Sequence, residues 1–324
     1  MSKITTEAIG TELPVVAVPA PPERSPAIWL GYAGAVLAAV LFSTKGIIIK
    51  LAYAEGTNAE TLLALRMALS LPFYLAIGAA ALRHRQKLGA ALPDRRLVLQ
   101  AGLVGLLGYW FASYTDFLGL EYISAQFERL ILFTYPAFVV LFGALFFGQK
   151  MRARTLIGIG ISYAGLLLIF ATKLSVLGTD VAKGAGLVLA AAIAFALYQL
   201  LAKDVIARMG PRLFTCVAMI AAAGGALLQF ALTEPFAALL VGPELFAYAL
   251  LLAVAATVLP TFLLSASLNL ISAQANATIG TLSPVVTILL AVAILGEVLT
   301  WTDIGGTVLV IAGVGWFTLA DRRG

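Results

Sequence analysis

The chain has 324 residues, of which 61% are hydrophobic and only 11% charged, with a net charge of +5. A soluble domain carries about 25% charged residues, so this chain cannot clothe a water-facing surface. That excludes an ordinary soluble enzyme, and the modest positive charge describes loop orientation rather than nucleic-acid binding. The one cysteine, Cys216, excludes an internal disulfide and a multi-cysteine metal site, and the one histidine, His84, sits in a basic run without a metal-binding companion.

In chain order, residues 1–26 are rich in Thr, Pro and Glu and are expected to form a disordered cytoplasmic tail. The run "LPVVAVPA" is broken by prolines and lacks the basic lead-in of a secretory signal. Ten apolar stretches follow, each near the ~20 residues a helix needs to cross a bilayer. They cover 29–53, 60–82, 97–118, 123–147, 154–172, 184–203, 212–233, 244–268, 272–295 and 301–320. The predicted fold class is therefore an all-α membrane protein with ten transmembrane helices.

Lys and Arg gather in alternate loops. Arg83, Arg85, Lys87, Arg95 and Arg96 follow the second span, Lys150, Arg152 and Arg154 the fourth, and Lys203, Arg208 and Arg212 the sixth. The remaining loops hold Glu55, Glu60, Glu121, Glu234, Glu244, Glu297 and Asp303, with Lys173 and Lys183 their clear basic residues. The positive-inside rule then places both termini in the cytoplasm of a multi-pass protein of the cell inner (plasma) membrane.

The tetrapeptide ISAQ occurs at 123–126 and again at 271–274, and the match extends at a constant offset of 148. Pro136 falls on Pro284, Gly148 on Gly296, Gly158 on Gly306, and Ala164-Gly165 on Ala312-Gly313. A weaker match joins GAVLAAVLF from Gly34 to GLVLAAAIA from Gly186. Two five-helix units are predicted, 27–173 and 174–320, followed by a cytoplasmic tail at 321–324. Five is odd, so the second unit enters the membrane from the opposite side. Accordingly, basic GQKMRAR after the fourth span is matched by acidic GEVLTWTD after the ninth. An inverted repeat of this kind lets two halves exchange conformations around one central site, which points to a secondary transporter working by alternating access.

The segments LFSTKGIIIKLA, LLALRMALSLP and ERLILFTYPAFVVLFGALFFGQK, with AFALYQLLAK and IGTLSPVVTILLAVAILGEVLT in the second copy, resemble the EamA family of the drug/metabolite transporter (DMT) superfamily. The resemblance covers nearly everything after residue 30. Phe42-Ser43 departs from the Trp-Gly common there. The resemblance implies a metabolite exporter, with amino-acid exporters of the YddG type, aromatic ones included, among the nearest in appearance. A multidrug or organic-cation exporter of the same fold is the alternative.

Ionisable residues inside the predicted spans are few, and Lys45, Arg66, Asp116, Glu128 and Arg129 fall in what the charge rule makes the outer half. Charges at such depth are costly unless they face the bundle interior and pair. Glu128 and Arg129 are adjacent, roughly 100° apart on a helix, so Glu128 is expected to pair with Lys45 or Arg66. Two readings stand side by side. In one, Arg66, Asp116 and Arg129 form a gating or ion-pair network. In the other, Lys45 and Glu128 meet the substrate. Candidate substrate contacts also include Tyr109, Trp110 and Tyr114 in span three, Tyr198 and Gln199 in span six, and Gln274 and Asn276 in span nine. Asn276 stands where the first copy has Glu128, and this neutrality of the second copy argues against a multiply charged phosphate as substrate. Pro136 and Pro284 are predicted kinks with a hinge role. Glycines spaced by three in span three, and small residues spaced by four in spans five and ten, predict close helix contacts, spans five and ten also offering a homodimer face. No phosphate-cradling glycine motif, catalytic group or cofactor site is recognisable. The expected partners are a small-molecule substrate and the lipid bilayer, with proton or exchange coupling as the available energy source.

Overall fold

The computed structural model describes residues 26–89, 91–148, 153–177, 179–268, 270–271, 279–280 and 282–320. The N-terminal tail before residue 26, the C-terminal tail, Gln274 and Asn276 lie outside the described residues. The regular structure described is helical. The elements are α1 (Pro26–Ser43), α2 (Lys45–Ala54), α3 (Ala59–Lys87), α4 (Arg95–Gly105), α5 (Ala112–Leu120), α6 (Ala125–Leu132), α7 (Tyr135–Phe147), α8 (Ala153–Leu177), α9 (Asp180–Met209), α10 (Pro211–Thr233), α11 (Pro243–Ala253), α12 (Leu259–Leu268), α13 (Leu282–Leu295) and α14 (Trp301–Ala320). A turn of π-helix, Leu106–Phe111, joins α4 to α5, and another, Val254–Val258, joins α11 to α12.

Among the described residues, eight helices are long and apolar enough to cross a membrane, from Ile28–Ala54 through Pro243–Leu264, and Leu282–Leu295 is a shorter apolar helix. Large apolar side chains such as Leu99, Leu145, Phe146, Leu167, Leu228 and Leu289 stand exposed along these helices. Such a surface suits lipid and not water. The chain is a multi-pass membrane protein.

Short polar residues set the helix starts. Asn58 accepts a hydrogen bond from the Thr61 amide, Asp94 from Leu97 and Ser124 from Phe127, each satisfying one of the donors a helix leaves free at its N-terminus. Glycines close two of the ends. Gly148 ends α7 with φ of 64°, and Gly296 follows α13 with φ of 66°. Both are left-handed conformations that a Cβ would penalise.

Two interruptions matter for the site. The first span breaks at Thr44, between α1 and α2. Here Ser43 Oγ donates to the Ala39 carbonyl and Thr44 Oγ1 to the Leu41 carbonyl, and Gly46 follows, a poor helix former. The fourth span breaks at Phe133-Thr134, and Pro136 lies in the first turn of α7. Pro136 was expected as a mid-helix kink. It instead sits where its missing amide costs nothing, and the discontinuity precedes it. Pro284 likewise lies within the first turn of α13.

The bundle is built from neighbouring pairs: α3 along α10, α8 along α14, α5 along α9, α1 along α12, α7 against α9 and α1 against α13. Some of the small residues predicted for close contact, Gly105, Gly108, Gly165 and Gly313 among them, meet other helices of the same chain. A Cβ on Gly165 would lie 2.6 Å from the Gly306 carbonyl oxygen, and one on Gly313 2.5 Å from the Gly158 oxygen. In span three, a Cβ on Gly105 would meet the Ala218 backbone at 2.4 Å, and one on Gly108 would enter the Tyr198 ring.

Glutamates tie elements together at one end of the bundle and arginines at the other. At one end Glu121 Oε1 accepts from the Ala59 amide at 2.9 Å, Glu234 Oε1 from the Asn58 side chain at 2.7 Å, and Glu297 Oε1 from the Ala125 amide at 2.8 Å. At the other, Arg85 donates to the Met209 carbonyl at 2.8 Å and Arg208 to Gln100 at 3.0 Å.

Candidate functional site

The break at Thr44 frees backbone carbonyls inside the bundle. Arg129 Nη2 donates to the carbonyl of Phe42, and Thr287 Oγ1 donates to that of Ser43 at 3.0 Å. Arg129 Nε in turn donates to Thr287 Oγ1 at 3.1 Å. Ser43 and Ser283 hydroxyls meet at 2.8 Å. Three helices, α1, α6 and α13, are thus held at one point by groups that an unbroken helix would have had no use for. Buried carbonyls without donors are costly, and Arg129 with Thr287 removes that cost.

One residue past the break, Lys45 opens α2. Its Nζ lies 2.5 Å from Asp116 Oδ2 on α5 and 4.0 Å from Glu128 Oε1 on α6. Glu128 is fully buried. Neither of its carboxyl oxygens has a hydrogen-bond partner, nor does Asp116 Oδ1. Gly46 leaves room for this carboxylate: a Cβ there would lie 3.3 Å from Glu128 Oε2. The sequence expectation that Glu128 pairs with Lys45 or Arg66 is therefore refined. Lys45 is the shared cation, and Asp116 holds the tighter bond.

Arg66 departs from the expected pairing. No carboxylate lies within ion-pair distance of it among the described residues. Its nearest polar partner is the Ser113 hydroxyl, at 3.4 and 3.5 Å from the two Nη atoms. The guanidinium carbon sits 5.3 Å from the Phe117 ring centroid.

The aromatic residues of span three lie in and beside the first π turn. Tyr109 and Tyr198 share a hydroxyl contact at 2.8 Å, with ring centroids 4.9 Å apart. Trp110 Nε1 donates to Gln229 Oε1 at 2.7 Å, and Tyr114 donates to Glu60 Oε1 at 2.8 Å. Trp110 thus turns toward span seven and Tyr114 toward span two. Gln199 neighbours the Tyr135 hydroxyl, and Tyr135 packs edge-on against Phe195 with centroids 5.1 Å apart. The structure thus draws Lys45, Asp116, Glu128 and Arg129 into one cluster at the broken helix. Tyr109 and Tyr198 form a second group, and Arg66 lies between helices α3 and α5.

The sequence profile of the EamA-like transporter family matches twice, over residues 29–171 and 182–319. The chain belongs to the EamA-like transporter family. A relative from Bacillus subtilis (strain 168), the uncharacterized transporter YcbK, is 27% identical over 292 residues, covering 86% of this chain and 90% of that protein. A solved crystal structure of a protein at 19% identity superposes with a TM-score of 0.60, over 93% of this chain and 99% of the other, a likeness of fold. This EamA-like protein is a membrane transporter.

Several residues of the site escape a reading of the sequence. Ser113, Ser283, Thr287 and Gln229 give only a weak signal, a lone polar residue in an apolar span. Glu297 was read as part of an acidic outer loop. From the loop after α13 it also reaches across to the start of α6, where Oε1 accepts from Ala125 and Oε2 from Gln126 at 3.3 Å. Its carboxylate thereby caps the helix that carries Glu128 and Arg129, where negative charge suits the helix dipole. Replacement of Glu297 by Ala is expected to cost about 1–2 kcal/mol, as loss of a cap does. Glu297→Gln, which keeps an acceptor, should cost less. Thermal unfolding of the purified variants measures both.

Proposed function

We propose that this transporter exports a small metabolite of the amino-acid class, aromatic ones included, by alternating access between two inverted five-helix halves. The observation that carries the reading is a correspondence between helix contacts at the offset of 148. That shift takes α3 into α10 and α8 into α14, and these helices pair with each other. It takes α5 into α12 and α9 back into the first span, so the contact of α5 with α9 maps onto that of α12 with α1, and α7 with α9 maps onto α13 with α1. The two π turns begin 148 residues apart, as do Gly148 and Gly296 with their left-handed φ. Contacts exchanged in this way are expected of halves related by an axis in the membrane plane, a relation that makes inward- and outward-open states close in energy.

In this reading, ten spans cross the inner membrane with both termini cytoplasmic, and the acidic end of the bundle faces outward. Lys45 and Glu128, beside the broken first span, with Tyr109, Trp110, Tyr114, Tyr198, Gln199 and Asn276, supply substrate contacts. Asp116 and Arg129 serve as gating or ion-pair groups, Arg66 as a gating group, and the breaks beside Pro136 and Pro284 act as hinges. Broken helices with freed carbonyls are where transporters place their sites. Proton or exchange coupling supplies the energy. Flux into proteoliposomes tests this directly, against a panel of amino acids, nucleosides, organic cations and sugar phosphates. Amino acids are expected to move and to compete with one another. Competition by bulky organic cations alone would favour a multidrug exporter, and no flux of any class would defeat the reading.

A further inference from the structure

Lys45 lies against both Asp116 and Glu128, and Arg129 in the same cluster donates to the Phe42 carbonyl and the Thr287 hydroxyl. Arg66 stands outside that cluster. Its side chain is 4% exposed, its Nε has no hydrogen-bond partner, and its other contact is a pair of long bonds to one hydroxyl. A guanidinium has five N–H donors in a fixed fork. Here Nε has no partner and the two Nη atoms share one distant hydroxyl, at a depth where a charge without a close counter-ion is costly. The Phe117 ring face offers partial compensation and no hydrogen bond. The nearest carboxylate in the sequence of α5, Asp116, is already held by Lys45.

We infer that Arg66, with Ser113 beside it, is the receptor for a single carboxylate on the transported molecule. This rests on the transporter reading above and narrows its substrate to a monoanionic or zwitterionic acid. A guanidinium fork matches a carboxylate with two parallel hydrogen bonds, and Ser113 adds a third donor on the same side. Lys45 is already held between two carboxylates of the protein. One guanidinium matches one negative charge. An organic cation would be repelled.

The test uses the full-length protein in detergent, with matched ligands that differ only at the acid: phenylalanine against its amide, and phenylacetate against phenylacetamide. Thermal stabilisation and calorimetry read binding. The acids are expected to bind and stabilise the wild type, and the amides to bind at least about tenfold more weakly, as for loss of a charge-assisted pair. Arg66→Gln is expected to lose the preference for acids, while Arg66→Lys keeps a weakened one. Without ligand, Arg66→Gln should unfold at the same or a higher temperature than the wild type, since it removes an unpaired buried charge. A purely structural arginine would give the reverse, a lower unfolding temperature and an unchanged preference. Equal binding of acids and amides, or no binding of any acid, overturns the assignment. Acid-selective binding without flux would defeat the transport reading and leave the receptor standing.

Discussion

Lys45→Met is expected to be among the most damaging single substitutions in this protein, costing about 3 kcal/mol or more in stability and most of the transport activity. Among the described residues, Lys45 is the one cation within 4.0 Å of both Asp116 and Glu128. Removing it strands two buried carboxylates, and breaking a buried pair by deleting one partner costs roughly 3–5 kcal/mol. The side chain of Lys45 is 17% exposed, which favours the lower end. Asp116→Asn should cost less, because the ammonium keeps Glu128 as a partner. The double variant Lys45→Met/Asp116→Asn should recover much of the lost stability, since one carboxylate fewer is left uncovered. Thermal unfolding in detergent and flux in proteoliposomes measure the series. Equal damage from Asp116→Asn and Lys45→Met would mean that Lys45 does not serve both acids.

The contact between α8 and α14 should be nearly as unforgiving. At Gly165 a Cβ would meet the Gly306 oxygen at 2.6 Å, the Leu309 Cβ at 2.7 Å and the Val310 nitrogen at 3.0 Å. At Gly313 it would meet the Gly158 oxygen and the Ser162 nitrogen, both at 2.5 Å. These are mostly backbone atoms, which cannot turn aside as a flexible side chain can. Gly165→Ala and Gly313→Ala are therefore expected to cost about 1–3 kcal/mol each through overpacking, and Leu at either position should prevent assembly. Gly160 provides the contrast on the same helix. Nothing lies within 4 Å of its Cβ position, so Gly160→Ala should be neutral or stabilising by about 1 kcal/mol, as expected from helix propensity. Unfolding temperatures of the three alanine variants check the order.

The sequence made some of this plain and left other parts hidden, for physical reasons. Membrane helices are legible because length and hydropathy dominate their free energy of insertion. Deep charges are legible because they are rare there, and Lys45, Asp116, Glu128 and Arg129 do meet. Their partners are not, since pairing depends on helix rotation and on where helices break. The first span reads as a continuous apolar run. Its interruption at Thr44 follows from hydroxyls that take neighbouring carbonyls, a local competition that hydropathy does not register. Arg66 looked like Lys45 in the sequence, and only the three-dimensional arrangement separates a paired cation from an unpaired one. The role of Glu297 was hidden because its contact to Ala125 spans 172 residues.

The central claim is that equivalent segments of the two halves face opposite sides of the membrane. The measurement that tests it most directly is the labelling of single cysteines at Lys150 and Val298, on a background with Cys216 replaced, by a reagent that cannot cross the membrane. Position 150 should react only after the membrane is opened, and position 298 should react from outside in intact cells. Reaction of both from the same side would contradict the inverted arrangement and the transport mechanism built on it.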